Sequence, residues 1–369
     1  MADITIWYHD PAEVAPESSW TGIAPTLKSA IRRDITTCNE PEVLKLFEYA
    51  RPDAVVTVDS KPVVSIEQTM MNPSGHNIPQ RFSCIMKAAE HGVPGILYYP
   101  EASRRTLSDP NLRYLNIRVP LAQFRLMEVL GSLSLSLFWP TGPNKLPRTD
   151  QQAQSNLAEV VELLVKRVEG RLSLQDLAKE DPIAQALGEM DRVIRTYGVS
   201  RGYRPNPTVR ALKPTGFEHT QRTGALPIDP PLVVELSRTD RMLSGVFGRT
   251  SPALKDEFLE AIQARQNTLT LRATANHSHK DSEHPWPGYL TLLDMLYARE
   301  GGGLSALERS HNLVYRLPIP IDTFVKHLGS LPTPTRIVYS VADLVILDGG
   351  VVLGRLHRRC SKQPQIWRV

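Results

Sequence analysis

Two carboxylates stand at the ends of a stretch with the pattern of a hairpin. Asp53 precedes the run Ala54-Val-Val-Thr-Val58, and Glu67 follows Val63-Val-Ser-Ile66, with Asp59-Ser-Lys-Pro62 between them. Runs rich in β-branched residues and bounded by turn residues read as strands. A hairpin brings the start of its first strand beside the end of its second. Side chains alternate faces along a strand, so Glu67 shares a face with Val63, Ser65 and Thr69. Two acids gathered this way offer hard oxygen ligands, which suit Mg2+ or Mn2+ with several waters retained. Such an ion polarises a phosphoryl oxygen and acidifies a bound water. The plainer alternative is a turn-flanking aspartate and a strand-end glutamate, both solvated.

The neighbouring segments supply the elements that would position these acids. Asn39 caps a helix with Pro41 in its first turn and Val43, Leu44, Phe47 and Ala50 at helical spacing, ended by Pro52-Asp53. After the polar turn Asn72-Pro-Ser-Gly75, a second helix is expected from about Pro79 to His91, with Phe82, Ile85, Met86 and Ala89 on one face. Gly92-Val-Pro-Gly95 stops it, and Ile96-Leu-Tyr-Tyr99 reads as a buried strand. Leu121 to Phe138 reads as one long helix, ended by Pro140 and Gly142. Gln80 and Arg81, on the first turn of the second helix, would point back at the strand end that carries Glu67.

Pro-Asp, a hairpin, a second acid, a polar turn and a helix opening Asn77-Ile-Pro-Gln-Arg81 together resemble the PD-(D/E)XK nuclease superfamily, in particular its restriction-endonuclease branch. The resemblance covers roughly residues 40–120. In that family a lysine usually follows two residues after the second acid; here the position is Thr69, with Gln68 between. The resemblance implies an α/β fold whose mixed central sheet is flanked by helices, and a nuclease core over residues 1–145. It implies Asp53 and Glu67 as ligands of Mg2+ (or Mn2+), and Thr69, Gln80 and Arg81 as residues that orient water or phosphate. Arg81, with Lys61 and Lys87 as lesser candidates, would supply the missing cation beside the scissile phosphate. The implied partner is double-stranded DNA, and a homodimer is compatible with the resemblance.

The chain of 369 residues carries 43 Lys+Arg and 39 Asp+Glu, a net charge of +4. The excess is mild, but it is unevenly placed. Arg201, Arg204, Arg210, Lys213 and Arg222 face one acid, Glu218, in a proline-rich stretch, and a second basic cluster closes the chain. Local basic patches are the footprint of polyanion binding. With 41% hydrophobic and 22% charged residues, the composition excludes collagen, coiled coil and wholesale disorder. The best apolar run, Val129 to Trp139, falls short of the roughly 18 residues a membrane span needs. The N-terminus lacks the basic and apolar regions of a secretory signal, so the expected location is the cytoplasm.

Other chemistries find no motif. Cys38, Cys84 and Cys360 lie far apart, which argues against a paired-cysteine zinc site or a disulfide framework. HExxH, GxSxG, GxGxxG and a phosphate-binding GKS/GKT are absent, and His277, His279 and His284 match no zinc spacing.

Residues 140–154, rich in Pro, Gly, Asn and Gln, read as a linker. Beyond it a helix-rich DNA-recognition region, 146–369, is expected, with helices near 155–169, 173–179, 183–197 and 252–266. A hairpin closes it at Asp343-Leu-Val-Ile-Leu-Asp-Gly-Gly-Val-Val-Leu353. That hairpin echoes Asp53–Asp59, either as a degenerate second copy or by chance. The expected function is metal-dependent cleavage of double-stranded DNA by a restriction-type endonuclease. The rival is a non-catalytic nucleic-acid-binding or regulatory protein on the same fold.

Overall fold

A computed structural model of the chain describes residues 3–47, 49–70, 78, 81–104, 106–168, 173–200, 232–235, 267–272, 291–292, 294–295, 311–320, 322, 344–348, 350–353 and 366–368. The chain divides into two compact units, Met1–Val209 and Arg210–Val369.

The first unit is built on a six-stranded mixed sheet. Its strands are β1 (Ile4–Tyr8), β2 (Ile31–Asp34), β3 (Ala54–Val58), β4 (Lys61–Gln68), β5 (Gly95–Pro100) and β8 (Ser134–Trp139), in the order β2-β1-β3-β4-β5-β8. The expected hairpin is β3–β4, antiparallel, with Ala54 opposite Ile66. Asp59 and Ser60 make its turn with φ of 48° and 63°, as a tight hairpin turn demands. β1 runs antiparallel to β3 on one side, and β5 runs parallel to β4 on the other, with Glu67 opposite Leu97 and Gln68 opposite Tyr98. A short pair, β6 (Ala102–Ser103) and β7 (Arg113–Tyr114), follows β5.

Helices cover both faces. On one, α1 (Pro41–Leu46) and α2 (Phe82–Glu90) pack on the sheet through Trp7, Ile35, Val43, Leu46, Val55 and Ala88. The larger core, on Ile6, Val56, Val64, Ile66, Leu135 and Leu137, takes in Leu157, Val160, Val161 and Leu164 of α4 (Ser155–Lys166) and Ile183, Ala186 and Met190 of α6 (Asp181–Ser200). The short α5 (Leu174–Leu177) lies between those two helices in sequence. Because α4 and α6 pack on this sheet, residues 140–154 are not an interdomain linker. They connect β8 to helices of the same unit, and the boundary falls beyond residue 200 instead of at 145/146.

The long helix expected over Leu121–Phe138 is instead α3 (Arg118–Leu130) followed by β8. Gly131, at φ 66°, ends the helix in the left-handed conformation. The next residues alternate Ser132, Leu133, Ser134, Leu135, Ser136, Leu137, which is the period of a strand and not of a helix. Leu133, Leu135 and Leu137 enter the core. Ser136 turns to the other face, where its hydroxyl donates to Gln123 Oε1 at 2.5 Å and meets the Tyr99 hydroxyl at 2.9 Å.

The described residues of the second unit are mostly strand, where a helix-rich region is expected. Those residues include another six-stranded sheet, ordered β14 (Ile366–Arg368), β13 (Gly350–Leu353), β12 (Leu344–Asp348), β11 (His311–Pro320), β10 (Asn267–Arg272), β9 (Leu232–Glu235), beside helical residues at 291–292 and 294–295. The closing hairpin is β12–β13, with Leu347 opposite Gly350. It is not placed like the first hairpin. β3 has an antiparallel outer neighbour and β4 a parallel one, whereas β12 has the parallel neighbour and β13 the antiparallel one. The two hairpins are alike in sequence and unlike in topology, which argues against a repeated unit. The helix expected at 252–266, the histidines at 277–284 and the basic cluster after residue 354 lie outside the described residues, apart from Arg368 at the end of β14. Among the described residues no helix is long and apolar enough to cross a membrane.

Candidate active site

Asp53 lies one residue before β3 and Glu67 is the penultimate residue of β4. The two acids cross-link the hairpin ends reciprocally. The Asp53 backbone N–H donates to Glu67 Oε2 at 3.3 Å, and the Gln68 backbone N–H donates to Asp53 Oδ2 at 2.7 Å. Alternation then sends Glu67 to the α2 face of the sheet and the Gln68 side chain to the other.

Arg81 sits at the N-cap of α2, its own N–H bonded to Ile78 O at 3.0 Å. Its Nη1 donates to Glu67 Oε1 and lies 4.0 Å from Asp53 Oδ2. One turn along α2, the buried Cys84 thiol also hydrogen-bonds Glu67. Arg81 therefore meets both acids, as its place on the first helical turn suggested. Lys61 begins β4, at the far end of the strand from Glu67, about 20 Å away at 3.3 Å per residue. Lys87 is held elsewhere, with Nζ 3.4 Å from Glu90 Oε2 and 4.7 Å from the Tyr49 ring centre. Thr69 is buried beside the site and donates its N–H to Tyr98 O at 2.9 Å. Gln80 and the basic residues Arg201, Arg204, Arg210, Lys213 and Arg222 lie outside the described residues.

A third carboxylate, Glu13, is one that the sequence pattern alone does not mark. It ends a short 3-10 turn, Pro11–Glu13, capped by Asp10, whose Oδ1 accepts the Ala12 N–H at 2.9 Å. Glu13 accepts a hydrogen bond from the Gln68 side chain and feels the charge of Asp53. A local signal exists, since Asp-Pro-x-Glu is a capped turn. Its approach to Asp53 depends on pairing between distant strands.

The electrostatics of the cluster are one-sided. Burial, above all, raises Glu67 from the ordinary carboxylate range to about 8, with the charge of Asp53 adding to it and Arg81 opposing. Burial likewise raises Asp53, against the pull of Arg81. Glu13 is pushed up to about 7, first by burial and then by Asp53. Arg81 is held firmly protonated by Glu67 and Asp53 despite its own burial. Were all three carboxyls ionised against one guanidinium, two negative charges would be in excess, and the raised values mean that protons offset part of that excess near neutral pH. Asp10 adds to that field at Glu13 and Asp53, and His9 opposes it at Asp53.

The residues fit a divalent ion with an incomplete protein ligand set. All the candidate ligands are oxygens, which suits Mg2+ or Mn2+. Two buried acceptors, Glu13 Oε2 and Gln68 Oε1, have no hydrogen-bond partner. Among the described residues no three His, Cys, Asp or Glu gather closely enough to ligate one ion, so the Asp53–Glu67 pair would share the ion with water or substrate oxygens. In comparison with known proteins, no family model, curated protein or solved structure matches the chain.

Proposed function

We propose that this chain is a divalent-metal-dependent endonuclease of restriction type, hydrolysing phosphodiester bonds of double-stranded DNA. The observation that carries the reading is the convergence of Asp53, Glu67 and Arg81 at the end of β4, two buried or half-buried acids beside a single cation. Asp53 and Glu67 would hold Mg2+ or Mn2+. When bound, the ion polarises the phosphoryl oxygen and acidifies the attacking water. Arg81 offers a planar, permanently charged donor to the phosphoryl oxygens as charge builds on them in the transition state. Thr69 and Gln80 would orient water or phosphate. Arg201, Arg204, Arg210, Lys213 and Arg222 neutralise backbone phosphates, so affinity falls steeply with salt.

One observation favours a second reading, in which the chain binds nucleic acid without cutting it. Thr69 stands where the nucleases it resembles carry a lysine, and Arg81 is already paired with Glu67. Incubation with phage DNA and Mg2+ separates the two. Discrete bands that vanish with chelator support the endonuclease. Retention of DNA without cleavage in either Mg2+ or Mn2+ supports the binding protein. A preference for structured RNA over duplex DNA would move the substrate and leave the chemistry.

A further inference from the structure

The position of Arg81 bears on how the site is controlled. Its Nη1 contacts Glu67 and stands 4.0 Å from Asp53, so a positive charge already lies where an ion shared by the two acids would sit. The guanidinium is not locked there as a structural fork. Only Nη1 engages the acids among the described residues, and Nε is buried without a hydrogen-bond partner. An arginine that serves a carboxylate structurally is more often bidentate, with two parallel N–H···O bonds. A half-buried guanidinium with an unspent, buried Nε donor has a second arrangement to gain from, provided an acceptor arrives.

Resting on the nuclease reading of this site, we propose that Arg81 is an internal counter-cation that closes the Asp53–Glu67 pair to divalent ions until a phosphodiester draws it away. In the closed arrangement Arg81 and the ion compete for the same oxygens. When a phosphate enters, Arg81 rotates onto it, the pair is released, and the ion binds. Substrate and metal then bind cooperatively, and by linkage each tightens the other by the same factor. Without substrate, the apparent cation affinity is reduced by the fraction of molecules in which Arg81 has left the pair. If that fraction is about a tenth, removing the guanidinium tightens cation binding about tenfold.

The test is Mn2+ binding to the full chain without nucleic acid, read from the resonance of free Mn2+. Wild type is compared with Arg81→Gln, and Glu67→Gln marks the loss of the site. The expected result is weak saturable binding by wild type, binding about tenfold tighter by Arg81→Gln, and none by Glu67→Gln. Equal or weaker binding by Arg81→Gln, with the Glu67 dependence intact, overturns the gate and leaves the metal site standing. No saturable binding by any form overturns both. A second measurement does not depend on that variant folding. Saturating duplex DNA must tighten Mn2+ binding to wild type several-fold above a baseline set by DNA with Glu67→Gln. An unchanged affinity overturns the gate.

Discussion

Replacing Glu67 by Gln separates a structural ion pair from an over-acidic binding site, because the two predict opposite signs. If Glu67 served only to pair Arg81, the amide would leave a buried guanidinium uncompensated, at a cost of roughly 3–5 kcal/mol. Arg81 keeps Asp53 at 4.0 Å, however, and Glu13 also acts on this group of charges. Removing one of the two acids that meet Arg81 therefore relieves the repulsion between Glu67 and Asp53 and leaves Arg81 with Asp53 as its partner. The magnitude follows from the raised folded-state pKa. A carboxyl near 4.5 in the unfolded chain and about 8 in the fold takes up a proton on folding. The penalty is absent below the unfolded value, grows as pH rises through the interval, and is complete above about 8. At about 1.4 kcal/mol per pKa unit the ceiling is roughly 5 kcal/mol, and sharing of the proton between Glu67 and Asp53 reduces it to roughly 1–3 kcal/mol. Glutamine carries none of this cost. The assay is urea unfolding of both proteins in chelator at pH 5, 6.5 and 8. The variant should gain on the wild type as pH rises, matching or exceeding its stability at pH 8. A variant 3 kcal/mol or more less stable than wild type at pH 8 would refute the reasoning and make Glu67 a structural partner of Arg81.

Asp53→Asn and Glu67→Gln should each abolish cleavage while DNA binding in Ca2+ remains measurable; full activity in either folded variant removes the assignment. Arg81→Ala should slow single-turnover cleavage by about 10²–10³ and weaken binding far less; a drop in affinity at unchanged rate makes Arg81 a phosphate-positioning residue. Replacing Arg201, Arg204 and Arg210 together by Ala should lower the slope of log affinity against log salt by roughly 0.9 for each DNA phosphate no longer neutralised; an unchanged slope takes this segment off the DNA. Arg32→Ala should cost about 3 kcal/mol, measured by chemical unfolding. Its guanidinium holds the N-terminal segment through Val14 O (3.0 Å), Ala30 O (2.9 Å), Leu27 O (3.1 Å) and Thr21 Oγ1 (3.2 Å), and a cost under 1 kcal/mol shows that water replaces it.

The β3–β4 hairpin is legible in the sequence because two β-branched runs flank a turn, and that local pattern fixes where the ends meet. Asp53 and Glu67 follow from it directly, and Arg81 follows from being on the first turn of the next helix. β8 reads as helix only when its apolar content is weighed without its period; the Ser-Leu alternation after Gly131 says strand. The N-terminal strand β1, Ile4-Thr-Ile-Trp-Tyr8, has the β-branched and aromatic composition of a strand, but its place beside β3 is a pairing across some fifty residues that no short window contains. The same is true of the second sheet, where β10, β11 and β12 pair in parallel across long intervening segments.

Glu13 shows how a site residue can depend wholly on such pairing. β1 ends with Tyr8 opposite Ala54, and the His9 N–H bonds Asp53 O at 2.8 Å. The chain therefore leaves the sheet alongside Asp53, and the capped turn Pro11–Glu13 returns a carboxylate to it. Nothing in the turn itself says which acid it will meet. The consequence is energetic as well as geometric. With Glu67 and Arg81 alone, the buried charges would balance, and the pair would read as an ordinary salt bridge. Burial drives all three carboxyls upward, and the charge of Asp53 adds to it at Glu67 and Glu13, a cost that an amide at any of these positions would reduce. Strain of this kind concentrates at sites where a ligand relieves it, which is the ground on which a divalent cation is proposed for the Asp53–Glu67 pair.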